Sequence, residues 1–111
     1  MSNLTQSWLL LFVAGALEVA TTTVFRYTGG LTRVVPTAAF FVLGIASFYF
    51  LYRSLAAIPL GTAYAVWTGI GAAGTALIGI YVYAEPATTA RLVLLFILIG
   101  SIMGLKLVSN S

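Results

Sequence analysis

The chain of 111 residues is long enough for one domain, and 61% of its residues are hydrophobic while 6% are charged. Because soluble domains carry about 25% charged residues, this composition argues against a soluble protein and predicts one that lies within a lipid bilayer. There is no Cys or His, only two residues are acidic, and the five basic residues are scattered singly, so we expect no metal or other cofactor, no catalytic triad and no nucleic-acid partner.

Four stretches are long and apolar enough to cross a bilayer, which takes about 20 mainly apolar residues. In chain order they are residues 7–25, 36–52, 62–83 and about 88–108, and the breaks between them carry Gly, Pro or charged residues. The connections are short, so consecutive helices should be antiparallel neighbours. We therefore predict an all-α membrane protein with a single four-helix transmembrane domain over residues 1–111. Aromatic residues near the predicted helix ends are typical of an interfacial belt: Trp8, Tyr27, Tyr52, Tyr81 and Tyr83.

The basic residues hardly specify an orientation in the membrane. With the N-terminus inside, Arg53 and Lys106 lie inside and Arg26, Arg33 and Arg91 lie outside. The excess of Lys and Arg that normally keeps one side cytoplasmic is nearly absent. Insertion in both orientations is therefore an open alternative to a single orientation, and two opposed copies could pair into a dimer of eight helices.

Glu18 is the only acidic residue inside any predicted helix, near the middle of the first one. An ionised side chain at the bilayer centre costs roughly 3 to more than 10 kcal/mol, so such a residue indicates function by default. The structural alternative is a protonated, inert Glu that is hydrogen-bonded between helices. Positions three and four residues away share its face, and they are small or hydroxylated: Ala14, Gly15, Thr21 and Thr22. A helix or a ligand can therefore approach the carboxylate closely.

The third predicted helix carries a matching stripe at helical steps of three and four residues: Tyr64, Trp67, Thr68, Gly71 and Thr75. A carboxylate that faces aromatic rings is suited to an organic cation, because the rings add cation–π attraction to the charge. The alternative for Tyr64 and Trp67 is contact with lipid at the membrane interface. In the fourth helix, Gly100 and Gly104 form a small-xxx-small pair, a pattern found where membrane helices associate.

Several segments resemble a known family: residues 15–19 around Glu18, 30–33 followed by Pro36, 47–48, and 58–71, which reads Ile-Pro-Leu-Gly-Thr-Ala-Tyr-Ala-Val-Trp-Thr-Gly-Ile-Gly. Over essentially its whole length the chain resembles the small multidrug resistance family of bacterial transporters. The resemblance implies a proton-coupled antiporter, built as an antiparallel dimer in the bacterial inner membrane. It also implies that Glu18 binds both proton and cation, and that Tyr64 and Trp67 line its site.

Within that family, residues 71–74, 85–86 and 104–107 resemble the guanidinium-exporting branch. Members of that branch usually have tryptophan three residues after the glutamate, and members of the drug-exporting branch have glycine there. This chain has Thr21 and so departs from both patterns. Because Thr21 lies one turn from Glu18 on the same face, we expect it to contact the substrate.

Guanidinium needs hydrogen-bond acceptors around its charge. We predict that Glu18 supplies them together with the hydroxyls of Thr21, Thr22 and Ser47, and that the chain exports guanidinium or guanidinylated compounds. Export of quaternary ammonium or other lipophilic cationic drugs is the alternative, since threonine leaves more room than tryptophan. No nucleotide-binding fingerprint occurs, so exchange against protons is the expected energy source and the chain is not expected to be an enzyme.

Two other classes of function remain open at this stage. In a cation channel, Glu18 would select ions and conduction would need no strict proton exchange. In a non-transporting membrane subunit, Glu18→Gln would leave the phenotype intact. The expected partners are the organic cation, protons, the lipid bilayer, and a second copy of the chain or a related subunit.

Overall fold

The computed structural model of the chain describes residues 3–109, which form four helices: α1 Asn3–Phe25, α2 Val34–Ser54, α3 Leu60–Val82 and α4 Thr89–Ser109. Each contains a stretch long and apolar enough to cross a membrane. The 23 residues of α1 extend about 35 Å, which exceeds the hydrocarbon core of about 30 Å. The predicted fold class is confirmed. The predicted domain, 1–111, extends two residues beyond each end of the described range.

Helix α1 is the centre of the packing, since it lies against both α2 and α3, whereas α4 packs mainly against α3. The approach of α1 to α3 depends on small residues: a methyl group at Gly15 would lie 2.6 Å from a side-chain carbon of Ile70. The buried apolar core joins all four helices and the loop between α2 and α3: Trp8, Leu11, Ala14, Leu51, Ile58, Ala63, Val66, Trp67 and Ile102.

Trp8 is an exception to the predicted aromatic belt. Its side chain is only 3% exposed and packs in the core, while Tyr52 and Tyr81 are largely exposed as a belt requires. The reason is its position one turn before Leu11, on the face of α1 that points into the bundle. The Lys106 ammonium lies 5.6 Å from the centre of the Trp8 ring, so the end of α4 lies beside the beginning of α1.

At the opposite end of the bundle, the α1–α2 loop contacts the residue that follows α3. The Arg26 guanidinium lies 3.7 Å from the centre of the Tyr83 ring, and the Tyr27 and Tyr83 hydroxyls are hydrogen-bonded to each other. That hydrogen bond raises the pKa of the Tyr83 hydroxyl. This end of the bundle carries Arg26, Arg33 and the α3–α4 loop. It is the end at which the sequence analysis placed three of the five basic residues.

Candidate functional site

Glu18 lies in α1 directly against Gly71 of α3. A methyl group at Gly71 would lie 2.7 Å from the Glu18 Cγ, so only glycine leaves room for the carboxylate-bearing chain at this position. The side chain is half-buried. Within residues 3–109, the single ion pair joins two other residues, so no basic side chain neutralises Glu18 there. The membrane-embedded carboxylate is therefore available to a cation from outside the chain.

A cavity of about 590 Å³ opens beside Glu18, within the range of about 300–1,000 Å³ typical of small-molecule sites. We call it the Glu18 cavity. All five members of the stripe that spacing predicted on the third helix line it, and so do residues from every other helix. Its lining consists of Glu18, Thr22, Phe48, Tyr64, Trp67, Thr68, Gly71, Ala72, Thr75, Ala76, Glu85 and Arg91.

Three aromatic rings form one wall of the Glu18 cavity. The ring centroids of Tyr64 and Trp67 are 5.6 Å apart, and those of Phe48 and Trp67 are 5.0 Å apart. Tyr64 is 54% exposed, whereas Trp67 is 5% exposed and presents only part of its ring to the cavity. A cation near Glu18 would therefore meet π faces as well as the carboxylate.

Ser47 supports this wall from behind. The Trp67 Nε1 donates a hydrogen bond to the Ser47 Oγ at 2.9 Å, and the Ser47 hydroxyl donates to the Ala14 carbonyl oxygen at 2.7 Å. Ser47 is fully buried and is not part of the lining of the Glu18 cavity. Its position therefore favours a role in orienting Trp67, whereas the sequence predicted a hydroxyl beside the substrate.

The hydroxyl groups of Thr21 and Thr22 make different hydrogen bonds. The Thr22 hydroxyl is 2.6 Å from the Thr75 hydroxyl, which joins α1 to α3 within the Glu18 cavity. The Thr21 hydroxyl donates to the Leu17 carbonyl oxygen at 2.7 Å, and its side chain is 5% exposed. Thr21 lies on the side of α1 that faces α2 and is not part of the lining of the Glu18 cavity.

Thr21 lines a second cavity, of about 450 Å³, between α1 and α2. We call it the side cavity. It is almost entirely apolar apart from its threonines and Glu18, which lines both cavities. The Thr21 methyl group lies 3.6 Å from where a Cβ at Gly44 would stand, so small residues on both helices keep it open. Its lining consists of Glu18, Thr21, Thr22, Phe25, Phe40, Phe41, Gly44, Ile45 and Phe48.

Glu85, Arg91 and Phe48 are lining residues of the Glu18 cavity that the sequence did not assign to the site. Spacing could not have found Glu85 or Arg91, because they lie outside the third helix and reach the cavity only through the chain reversal between α3 and α4. The available signal was chemical, since Glu85 is the second of the two acidic residues in the chain.

The profile of the Small Multidrug Resistance protein family matches residues 6–98. The chain belongs to this family. It is similar to a guanidinium exporter of Proteus vulgaris, with 46% identity over 93% of this chain and 99% of that protein. It is likewise similar to guanidinium exporters of Yersinia pestis, at 43% identity over 93% of this chain and 99% of the relative, and of Salmonella typhimurium, at 45% identity over 91% and 96%.

Membership in this family confirms several predictions at once. The small multidrug resistance protein described here is a multi-pass protein of the bacterial inner membrane, with four membrane-spanning helices. Its relatives are named as exporters, so it is a transporter and not an enzyme. A transporter of this kind acts on a small molecule. The two cavities that Glu18 lines are candidate sites for it on the described part of the chain.

Proposed function

We propose that this chain is a proton-coupled antiporter that exports guanidinium or guanidinylated compounds. The observation that carries the proposal is Glu18, an acidic side chain within the membrane that has no basic partner among residues 3–109 and faces an aromatic-walled cavity. Acidic side chains inside membrane segments mark ion and proton pathways. The names of the relatives support the choice of guanidinium.

Competition between the proton and the cation for Glu18 couples their movements in opposite directions. When the carboxylate is ionised it attracts a cation, and when it is protonated that attraction is lost and the cation leaves. Because one carboxylate cannot hold both ligands fully, inward proton flow drives the cation outward. Acceptor oxygens and aromatic faces suit a planar cation with several N–H donors. Glu18 and the Thr22–Thr75 hydroxyl pair supply acceptors, and Tyr64 and Trp67 supply the faces.

A second candidate function is the export of bulky lipophilic cations, and the side cavity favours it. The phenylalanine-lined space beside Thr21 can take an apolar substituent while the charge stays at Glu18. For the first function, the export of guanidinylated compounds, we propose that the side cavity widens the substrate range to compounds with alkyl or aryl substituents.

The proposed function is tested by cation uptake and proton movement in proteoliposomes under one proton gradient, because exchange of one proton for one monovalent cation at a single carboxylate moves no net charge. Guanidinium, phenylguanidinium and a tetra-substituted ammonium are compared at equal concentrations. We expect clear uptake of guanidinium and of phenylguanidinium, each with opposite proton movement. Ammonium transport without a response to any guanidinyl compound would contradict the substrate assignment. Cation conduction without accompanying proton movement would instead indicate a channel.

The companion variant is Thr21→Trp, whose large ring would fill the side cavity. We expect it to reduce phenylguanidinium transport about ten-fold or more, while guanidinium transport remains. This factor corresponds to the free energy of burying about two methylene groups. Thr21→Ser is the matched control, since it keeps both the small volume and a hydroxyl. An unchanged substrate range in Thr21→Trp would show that position 21 does not contact the substrate.

We also propose that the working unit is an antiparallel homodimer, with pairing to a related subunit as the alternative. Helix α4 supports this, because its large apolar side chains are mostly exposed and a methyl group added at Gly100 or Gly104 would meet no atom within 4 Å. Small residues of this spacing let membrane helices approach closely. A second, inverted copy would also supply the opposed symmetry that alternating access uses.

Dual insertion is measurable because the natural sequence has no Cys. Single cysteines at Ala56 and Ala87, which are exposed in loops at opposite ends of the bundle, are labelled in cells with an impermeant reagent. We expect both to be partly labelled, since the basic residues hardly favour one orientation. The further substitution Ala87→Lys in the Ala56→Cys variant should increase external labelling of residue 56. If the cysteine variants without added Lys are labelled from one side only, dual insertion is contradicted and pairing with a related subunit is favoured.

A further inference from the structure

The Glu18 cavity extends along α3 to a second acidic side chain at the end of the bundle. Gly71 contacts Glu18, Thr75 is hydrogen-bonded to Thr22, and Gly79 contacts Glu85. These three α3 positions are four residues apart, so they lie on one face at successive turns. The two carboxylates thus approach α3 at points about 12 Å apart along its axis, with the hydroxyl pair between them.

Glu85 is seated on the backbone of α3. Its N–H donates a hydrogen bond to the Gly79 carbonyl oxygen at 3.0 Å, which turns the chain back over the end of the helix. A methyl group at Gly79 would lie 2.6 Å from the carboxylate carbon and from both of its oxygens. The carboxylate therefore rests where only glycine leaves space, at the edge of the cavity that Glu18 lines.

Arg91 holds its guanidinium group against this carboxylate. Its Nη2 donates to the Glu85 Oε1 at 2.8 Å and its Nη1 donates to the Pro86 carbonyl oxygen at 2.8 Å. One carboxylate oxygen and one carbonyl oxygen therefore already bind a guanidinium group at the cavity edge. The side chains of Arg91 and Glu85 are 32% and 42% exposed, and ion pairs of such exposure are weak enough to exchange.

We propose that Glu85 and the Pro86 carbonyl form an outer binding site for guanidinium cations at the entrance of the Glu18 cavity, occupied at rest by the guanidinium of Arg91. An entering substrate has the same head group as Arg91 and replaces it on the same acceptors. From there the cation passes the Thr22–Thr75 pair to Glu18. This inference rests on the proposed function, and it adds a first binding step that the transport site itself does not require.

Glu85 is the single anionic side chain at this end of the described chain. The Tyr83 hydroxyl is neutral at physiological pH like any tyrosine, and its hydrogen bond with Tyr27 raises its pKa further. Arg26 lies over the Tyr83 ring and is not ion-paired with Glu85. Arg91 is thus the basic group that competes with substrate for the carboxylate.

The test measures KM and maximal rate of guanidinium transport in proteoliposomes. We expect Glu85→Gln to raise KM and Arg91→Gln to lower it, each about three- to five-fold as for exposed charge pairs, with maximal rates unchanged. In the Glu85→Gln background, Arg91→Gln should have no further effect. Gly79→Ala should also raise KM, because it displaces the carboxylate without removing a charge.

Two controls match these variants. Arg33→Gln removes one exposed positive charge at the same end of the bundle, and Gly61→Ala adds a methyl group to α3 where no atom lies within 4 Å. Neither should change KM. If Glu85→Gln and Arg91→Gln shift KM in the same direction, or not at all, the pair is only structural and the outer site is refuted while the proposed function stands. Absence of guanidinium transport by the natural protein would refute both.

Discussion

Replacing Glu18 with Gln is expected to abolish proton-driven guanidinium transport. In the proposed mechanism, the substitution keeps the shape of the side chain but removes the carboxylate that binds the cation and exchanges the proton. Loss of one partner from a buried charge pair costs roughly 2–5 kcal/mol, which corresponds to about 30-fold to several-thousand-fold weaker cation binding. The measurement is guanidinium uptake and proton movement in proteoliposomes at several pH values.

Two further variants sharpen this experiment. Glu18→Asp keeps the carboxylate but draws it back by one methylene group, so we expect weaker transport or a shifted pH dependence and not complete loss. Glu85→Gln makes the same chemical change in the other acidic residue and should keep its maximal rate. Transport by Glu18→Gln at natural rates over the whole pH range would refute the mechanism and favour a role for this chain as a non-transporting subunit.

Gly71→Ala is expected to have the next largest effect, although residue 71 carries no functional group. Its new methyl group would stand 2.7 Å from the Glu18 Cγ, so the carboxylate-bearing chain must shift. Overpacking of this kind costs about 1–3 kcal/mol. Since the displaced side chain is the proposed cation ligand, we expect guanidinium affinity to fall about ten-fold or more.

The matched control for Gly71→Ala is Gly61→Ala, which changes the same helix in the same way at an open position. Affinity is measured by guanidinium titration of the purified protein, and the amount of folded protein is compared by size-exclusion chromatography. An unchanged guanidinium affinity in Gly71→Ala would show that cation binding does not depend on the contact between Glu18 and Gly71. Loss of folded protein in Gly71→Ala would show that the glycine serves packing between α1 and α3.

Much of the candidate site could be predicted from the order and spacing of residues along the chain. Glu18 stood out because an acidic residue is costly within an apolar helix. Tyr64, Trp67, Thr68, Gly71 and Thr75 were grouped by helical spacing alone, and all five line the cavity. Such inferences succeed because residues on one helix face share a direction whatever the helix packs against.

The packing of the helices decided where the hydroxyl groups of the predicted site residues lie. Spacing placed Thr21 and Thr22 together beside Glu18, yet Thr21 faces α2 and the side cavity, whereas Thr22 bonds to Thr75 of α3. Ser47 was predicted near the substrate; in the structure it accepts a hydrogen bond from Trp67 and lies outside the lining of the Glu18 cavity. Neighbouring positions on a helix differ by about 100° in direction, so which of two helices each one meets depends on the packing of the bundle.

By itself, the sequence determined the membrane environment and the four spanning helices, and it singled out Glu18 as the candidate site residue, because hydropathy, length and the cost of a buried charge are local properties. Only the tertiary structure placed Trp8 in the core, opened the side cavity, and brought Glu85 and Arg91 into the lining of the Glu18 cavity. These features depend on how α1 packs against its neighbours and on the chain reversal after α3. Contacts between residues that are distant in the chain arise from that packing and leave no periodic signal in the sequence.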